Sequence, residues 1–206
     1  MKLAAALGAG AMIGPMLLTA PGVAADGAYP IDAMFAEFAK ACGTMPDYDG
    51  TVASVTAAGW EATDRAGVPA LASFMGFAED AGRKAVAERG GTMSPAAIFR
   101  NTVEGEEVAI VVTEVNVHGG RVTGCRLFDP AETRDAGAGK IKELTASEPV
   151  QTIEREGNTI VKFDGLSPST DSFDYYFVPA GSPLESHVHF NGLAMKIDSI
   201  GPAAND

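Results

Sequence analysis

The sequence has little positive charge. Its 206 residues include 15 lysines and arginines against 27 aspartates and glutamates, and the formal net charge is −12. Nucleic acids and anionic membrane surfaces are bound through clusters of Lys and Arg. The composition therefore argues against both as partners and favours an acidic protein that stays in solution.

The sequence also lacks the short motifs of common catalytic and cofactor sites. It contains no Gly-x-Ser-x-Gly segment, no Cys-x-x-Cys pair, and no Gly-x-Gly-x-x-Gly or Walker loop after a predicted strand. Acidic residues cluster at 104–107 and at 171–174. The second cluster could bind calcium weakly, but it lacks the oxygen spacing of an EF-hand loop. The first cluster falls in a predicted hairpin turn, which favours solvent exposure over a glycosidase pair. We expect no cofactor and leave open whether the protein is an enzyme.

No apolar run after the first 25 residues reaches the roughly 20 residues needed to span a bilayer. The first 25 carry Lys2, the apolar stretch Leu3–Leu18, and small residues up to Ala25. This pattern predicts a secretory signal peptide over residues 1–25, cleaved after Ala25. A retained anchor is the alternative, which glycines and Pro15 within the stretch disfavour. We therefore expect a periplasmic or secreted protein with no membrane attachment after cleavage.

Residues 26–206 have the length of one domain with a substantial core. Their net charge is −13, because Lys2 is the only charged residue of the leader. The chain shows no internal repeat and no low-complexity linker. We predict a single domain over residues 26–206.

The two cysteines, Cys42 and Cys125, lie far apart in the chain. Exported proteins fold in an oxidising compartment, where a cysteine pair is typically oxidised. We predict a disulfide between Cys42 and Cys125. Two buried free thiols are the alternative.

The segment from Ala96 to Phe128 predicts three strands joined by two tight turns. Val108–Val117 is almost entirely β-branched, and polar turns at 104–106 and 118–120 separate it from its neighbours. His118 lies in the second turn and has no predicted chemical role. Cys125 falls in the third strand, so the predicted disulfide ties this meander to an upstream helix.

The remaining pattern predicts an α+β fold, in which N-terminal helices pack on a mainly antiparallel β-sheet with one short inserted helix. We expect two layers. The helices are predicted after N-caps at Asp32 and Asp49, over Pro69–Arg89 with a break or partial disorder, and over Lys140–Ser147; strands are predicted over Thr152–Arg155, Thr159–Phe163 and Phe173–Phe177.

Aromatic residues alternate along the last of these strands. Phe173, Tyr175 and Phe177 share one face and are predicted to form core against the helices, with Tyr176 outward. If the helices cover only part of the sheet, that face would instead line an apolar groove. Trp60 is predicted to cover the edge of the core.

One segment resembles a group of small exported bacterial proteins of uncharacterised function. The resemblance lies in Phe35, Phe38 and Cys42, the segment Ala57–Trp60, and Cys125 after a glycine. It implies export and a cysteine pair. It implies no activity.

His187 and His189 form the candidate metal site. Leu184–Ile200 is predicted to supply one or two final strands, in which residues two apart project to the same face. Two imidazoles on one face could hold one metal ion. Two surface histidines flanking Val188 on an edge strand are the alternative.

The same histidines resemble the opening of the first cupin motif, since five residues separate Gly181 from His187 and one separates His187 from His189. The motif implies a small β-barrel with a metal held by histidines and a glutamate. Here Leu193 and Ala194 stand where the glutamate is expected, and the chain is too short for the second motif.

Two functions remain open from the sequence. The favoured one is non-enzymatic binding of a small ligand or of an envelope protein. The alternative is a metal-binding protein or metal-dependent enzyme that uses His187 and His189.

We expect the exported protein to begin at Asp26. Export of the full chain by a bacterial host, followed by N-terminal sequencing, checks the cleavage site. A mature chain that still begins at Met1 would contradict the signal peptide.

Overall fold

The computed structural model describes residues 27–202, in which nine strands form one antiparallel sheet accompanied by five helices. The predicted α+β class is confirmed. The predicted signal peptide, residues 1–25, lies outside the described residues. No helix between residues 27 and 202 combines the length and apolarity needed to cross a membrane.

Helices and strands lie both before and after a central meander of three strands. The helices are α1 (Ile31–Ala41), α2 (Tyr48–Ala57), α3 (Ala72–Arg89), α4 (Ala138–Thr145) and α5 (Glu185–Val188). The strands are β1 (Glu61–Thr63), β2 (Gly91–Met93), β3 (Ala97–Val103), β4 (Glu106–Val117), β5 (Gly120–Pro130), β6 (Gln151–Arg155), β7 (Asn158–Phe163), β8 (Ser172–Val178) and β9 (Gly192–Gly201). Their order in the sheet is β1-β3-β4-β5-β9-β8-β7-β6, and β2 also pairs with β4.

The β3–β4–β5 meander forms as predicted. Glu104 and Gly105 both adopt positive φ, 51° and 93°, and join β3 to β4. A two-residue turn with this backbone twists in the same sense as the strands it connects. The β-branched run of β4 then pairs along its length with β3 and β5.

One face of the sheet is covered by α1, α2 and α4. Phe38 of α1 is fully buried, and its ring lies 6.0 Å from that of Phe173. Phe173, Tyr175 and Phe177 all belong to this core, so the predicted packing role of the aromatic strand is confirmed. Trp60 is also buried in it, as expected. This face holds core instead of the alternative groove.

The opposite face is also covered, so the predicted two layers are three. Ile110 and Val112 of β4 belong to the first core, whereas Ala109 and Val111, which alternate with them, pack in a second core with Leu71 and residues of α3. A strand buried on both faces needs apolar residues at successive positions instead of alternate ones. The unbroken apolar run of β4 has this pattern and therefore indicates a strand that is covered on both faces.

The helix starts and α3 also differ from expectation. Asp32 and Asp49 lie in the first turns of α1 and α2, after N-cap positions at Pro30 and Asp47. The break expected within Pro69–Arg89 is absent beyond Leu71, because α3 runs unbroken to Arg89.

The predicted disulfide is confirmed. Cys42 ends α1, and Cys125 lies in the middle of β5, with Cα atoms 5.9 Å apart and sulfur atoms bonded. Both residues are buried. The bond therefore fixes the first helix to the centre of the sheet.

Removing this bond should destabilise the fold strongly. Closing a chain segment of 83 residues contributes about 4.5 kcal/mol in the chain-entropy model. We expect Cys42→Ala combined with Cys125→Ala to lower the free energy of unfolding in urea by an amount of that order. Reduced wild-type protein is the matched control and should lose a similar amount. An unchanged unfolding midpoint in both samples would contradict the role of the bond.

Candidate functional site

The prediction of strand structure over Leu184–Ile200, which carries the two histidines, is wrong for the first half of that segment. Residues 185–188 form α5, and β9 begins only at Gly192. Ser182 Oγ accepts a hydrogen bond from the Leu184 backbone, which favours a helical turn here. His189 has a positive φ of 56° and ends the helix. The alternation that would have placed both imidazoles on one face is absent.

The two histidines lie in different surroundings. His187 Nδ1 is 3.0 Å from the carbonyl oxygen of Pro183. The His189 ring stacks on Phe77 of α3 at 4.5 Å, and its Nδ1 lies 3.5 Å from Ser73 Oγ. Neither belongs to a group of three potential metal ligands among residues 27–202. Metal binding by this pair stays a prediction, without the geometry that motivated it.

Between α3, α5 and the sheet lies a small cavity of about 220 Å³, which we call the apolar pocket. Phe74 and Phe77 of α3 line one side, and Val188 and Phe190 line another. The floor comes from β5, β9 and β8 and consists of Phe128, Ala194 and Tyr176. Most of the lining is aromatic or aliphatic, as in pockets that bind small molecules.

The register of the sheet creates this pocket. Phe128, Ala194 and Tyr176 lie directly opposite one another in three adjacent strands. Ala194 therefore places a methyl group between two large rings and leaves space above β9. Phe74 and Phe190 both pack against the Phe128 ring, with ring centres 4.7 and 5.3 Å away, and both line that space.

A line of charged side chains borders the pocket on the same face; we call it the charged row. It begins two residues along each strand from the pocket floor and consists of Arg126, Lys196, Asp174 and Lys162, in strand order, with Asp198 beside them. Arg126 and Lys196 also line the apolar pocket. The pocket thus has an apolar end and a charged end.

Four ion pairs join the charged row. Lys196 Nζ lies 2.9 Å from Asp174 Oδ2 and 2.9 Å from Asp198 Oδ2. Arg126 Nη2 donates to Asp198 Oδ1 at 3.0 Å, and Lys162 Nζ lies 3.4 Å from Asp174 Oδ2. Burial opposes the charge of Lys196, but Asp198 and Asp174 outweigh it and raise its pKa. Lys196 is therefore charged at neutral pH.

Gly124 allows the guanidinium of Arg126 to lie over the sheet. A Cβ atom at residue 124 would stand 2.4 Å from Arg126 Nη1 and 2.7 Å from Asp198 Oδ1. Arg126 Nη1 also donates to Thr113 Oγ1 at 2.8 Å. These contacts fix the cation at the charged end of the pocket.

Two larger clefts flank this region. The first, of about 670 Å³, is bounded by the pair Arg100–Glu61. More than half of each of these side chains is exposed, so solvent screens the pair. The second, of about 540 Å³, contains Ser73 and His189. No carboxylate among the described residues is hydrogen-bonded to His189, so the two side chains lack the third member of a catalytic triad.

A group of acidic side chains lies on the other face of the sheet. Glu106, Asp129 and Glu132 bring carboxylate oxygens within 4.8 Å of one another. Arg134 pairs with Glu106 and Glu132, at 2.5 Å each, and Tyr29 donates to Asp129 Oδ2 at 2.9 Å. The solvated turn expected at 104–107 is therefore wrong for Glu106. A cation of the chain itself already occupies this group.

Asp129 has the most unusual ionisation among the carboxylates of residues 27–202. Burial raises its pKa to about 7, and the charges of Glu132 and Glu106 act in the same direction. The Tyr29 hydrogen bond and the charge of Arg134 oppose the increase.

Comparison with known proteins identifies no relative. No family model, no curated protein and no solved structure matches the chain. The resemblance to small exported proteins stays a prediction. The site must be interpreted from its own geometry.

The raised pKa of Asp129 predicts a stability that falls as pH rises. The folded state retains the Asp129 proton up to about pH 7, whereas the unfolded chain loses it near pH 3.8. Folded protein therefore binds more protons in that window, and the free energy of unfolding decreases across it. Asp129→Asn keeps an oxygen that can accept from Tyr29 but has no proton to lose in this window. We expect the free energy of unfolding of this variant, relative to wild type, to be higher at about pH 8 than at about pH 5.

Urea unfolding at both pH values measures this change. Asp164→Asn removes the same charge from an exposed position and is the matched control, for which we expect no such gain. Parallel pH profiles for wild type and Asp129→Asn would show that Asp129 does not titrate in this window.

Proposed function

We propose that this is an exported, periplasmic or secreted protein that binds a small, largely apolar molecule without transforming it. The observation that carries the proposal is the apolar pocket, whose floor and walls come from three strands and two helices. Such a concave site on rigid elements is the usual form of a ligand site.

The size of the pocket favours a small ligand. Its volume of about 220 Å³ lies below the roughly 300 Å³ at which pockets for drug-sized molecules begin. Phe77 at its edge is 48% exposed, although it is a large aromatic residue. A ligand that fills the pocket would cover part of this ring and recover its hydrophobic contribution.

The surroundings support binding more than catalysis. The charged side chains next to the pocket pair with one another and form no nucleophile–base arrangement among the described residues. Export is supported by the buried disulfide, because such bonds persist in oxidising compartments. The predicted leader is consistent with the same location.

Filling the pocket should abolish binding. Ala194→Leu adds three carbons at its floor, whereas Ala87→Leu adds them to an exposed position of α3. We expect octanol, octanoate or octylammonium to show saturable binding to wild type and Ala87→Leu by titration calorimetry. Ala194→Leu should show no saturable signal with any of them. A wild-type protein that binds none of the three probes would contradict the proposed function.

A titration followed by nuclear magnetic resonance (NMR) locates the binding site. We expect the amide and methyl signals of Ala194 and its neighbours in β9 to shift on addition of the bound probe. Signals of α4, on the opposite face, should stay in place and serve as the internal control. Shifts confined to α4 would place the ligand elsewhere.

A further inference from the structure

We infer that the ligand of the apolar pocket carries a carboxylate, held at the charged end of the pocket by Lys196 and Arg126. This inference rests on the proposed function and specifies its ligand as a small free carboxylic acid with a short apolar body. The apolar part would lie over Ala194, between Phe128 and Tyr176.

Hydrogen-bond donors remain available at that end. A lysine ammonium has three N–H donors, and an arginine guanidinium has five. Lys196 bonds to Asp174 and Asp198, and Arg126 bonds to Thr113 and Asp198. Within residues 27–202, one donor of Lys196 and three of Arg126 therefore have no protein acceptor. Both side chains line the pocket, so a bound oxygen can accept from them.

The charge balance favours an anion. The charged row contains three cations, Arg126, Lys196 and Lys162, against two carboxylates, Asp174 and Asp198. One positive charge is left uncompensated in a protein whose overall formal charge is −12. One ligand carboxylate would neutralise it. At these partly buried positions, charge-assisted hydrogen bonds are stronger than those between neutral groups.

A cationic ligand is disfavoured by the same contacts. Asp174 Oδ2 already faces Lys162 and Lys196 and accepts from the Tyr176 hydroxyl at 3.0 Å. Asp198 faces Lys196 and Arg126. Each carboxylate thus already faces two cations of the chain, and an added ammonium group would compete with them and increase the excess of positive charge.

The spacing of the two ends suits a small amphipathic molecule. The pocket floor and the charged row are two residues apart along each strand, which is about 7 Å. A carboxylate over Lys196 thus leaves the adjoining carbons over Ala194. The tail then contacts the aromatic walls.

Three probes of eight carbons each test the head group. The head groups of octanoate, octanol and octylammonium carry a negative charge, no charge and a positive charge. Titration calorimetry at neutral pH and low salt should show octanoate binding about tenfold or more tightly than octanol, with octylammonium weakest. Added salt should lower the affinity for octanoate and leave the affinity for octanol nearly unchanged.

Two variants separate the local charge from the net charge. Lys196→Met removes the ammonium group and keeps an apolar side chain, and it should bring the octanoate-to-octanol affinity ratio close to one. Lys142→Met removes one positive charge from α4 on the opposite face and should leave the ratio unchanged. If Lys196→Met does not fold, the probe ranking and salt dependence of wild type still decide the question.

The outcomes distinguish this inference from the proposed function. If no probe binds, the proposed function fails and the inference fails with it. If octanol binds as tightly as octanoate, or octylammonium binds most tightly, the inference is overturned while a binding pocket remains. If Lys196→Met and Lys142→Met reduce the preference for octanoate equally, the preference comes from the net charge of the protein. That result would overturn the role of Lys196.

Discussion

Burial of β4 on both faces is the constraint on which the rest of the structure depends. Alternate residues of β4, such as Ile110 and Val112, pack under α1 and α2. The residues between them in the alternation, such as Ala109 and Val111, pack under α3. A sheet that is hydrophobic on both sides must be covered on both sides. The helices therefore divide between two layers. The apolar pocket lies in the second layer, where residues of α3 and α5 and of three strands line the same space.

Polar groups are buried on both sides of this sheet, and the cost of their burial is reduced in a different way on each side. The charged row pairs cations with carboxylates, which limits the cost of removing them from water. On the opposite face Asp129 lies near two other carboxylates with one arginine among them, and it lowers the cost of burial by keeping its proton. The first arrangement keeps its charges in ion pairs, and the second favours the neutral form of one carboxylate up to about pH 7.

Local signals in the sequence predicted much of the fold and little of the site. The β-branched run of β4, its flanking turns and the alternating aromatic residues of β8 each occupy a few consecutive positions. All three were predicted correctly, except that Tyr176, expected to face outward, packs against the second core. The disulfide followed from the number of cysteines and the expected compartment. The helical turn at His187 was missed because four residues are too few to show a 3.6-residue period. The pocket was missed because Phe128, Ala194 and Tyr176 become neighbours only through the register of three strands.

The spacing of the two cysteines along the chain also limits when their bond can form. Cys42 leaves the ribosome early, but its partner follows 83 residues later, after the whole of β3 and β4. The thiol of Cys42 therefore has no partner within the chain until β3, β4 and the first half of β5 have been synthesised. The bond can form only when β5 lies against α1, because the two Cα atoms must come as close as the 5.9 Å seen in the fold.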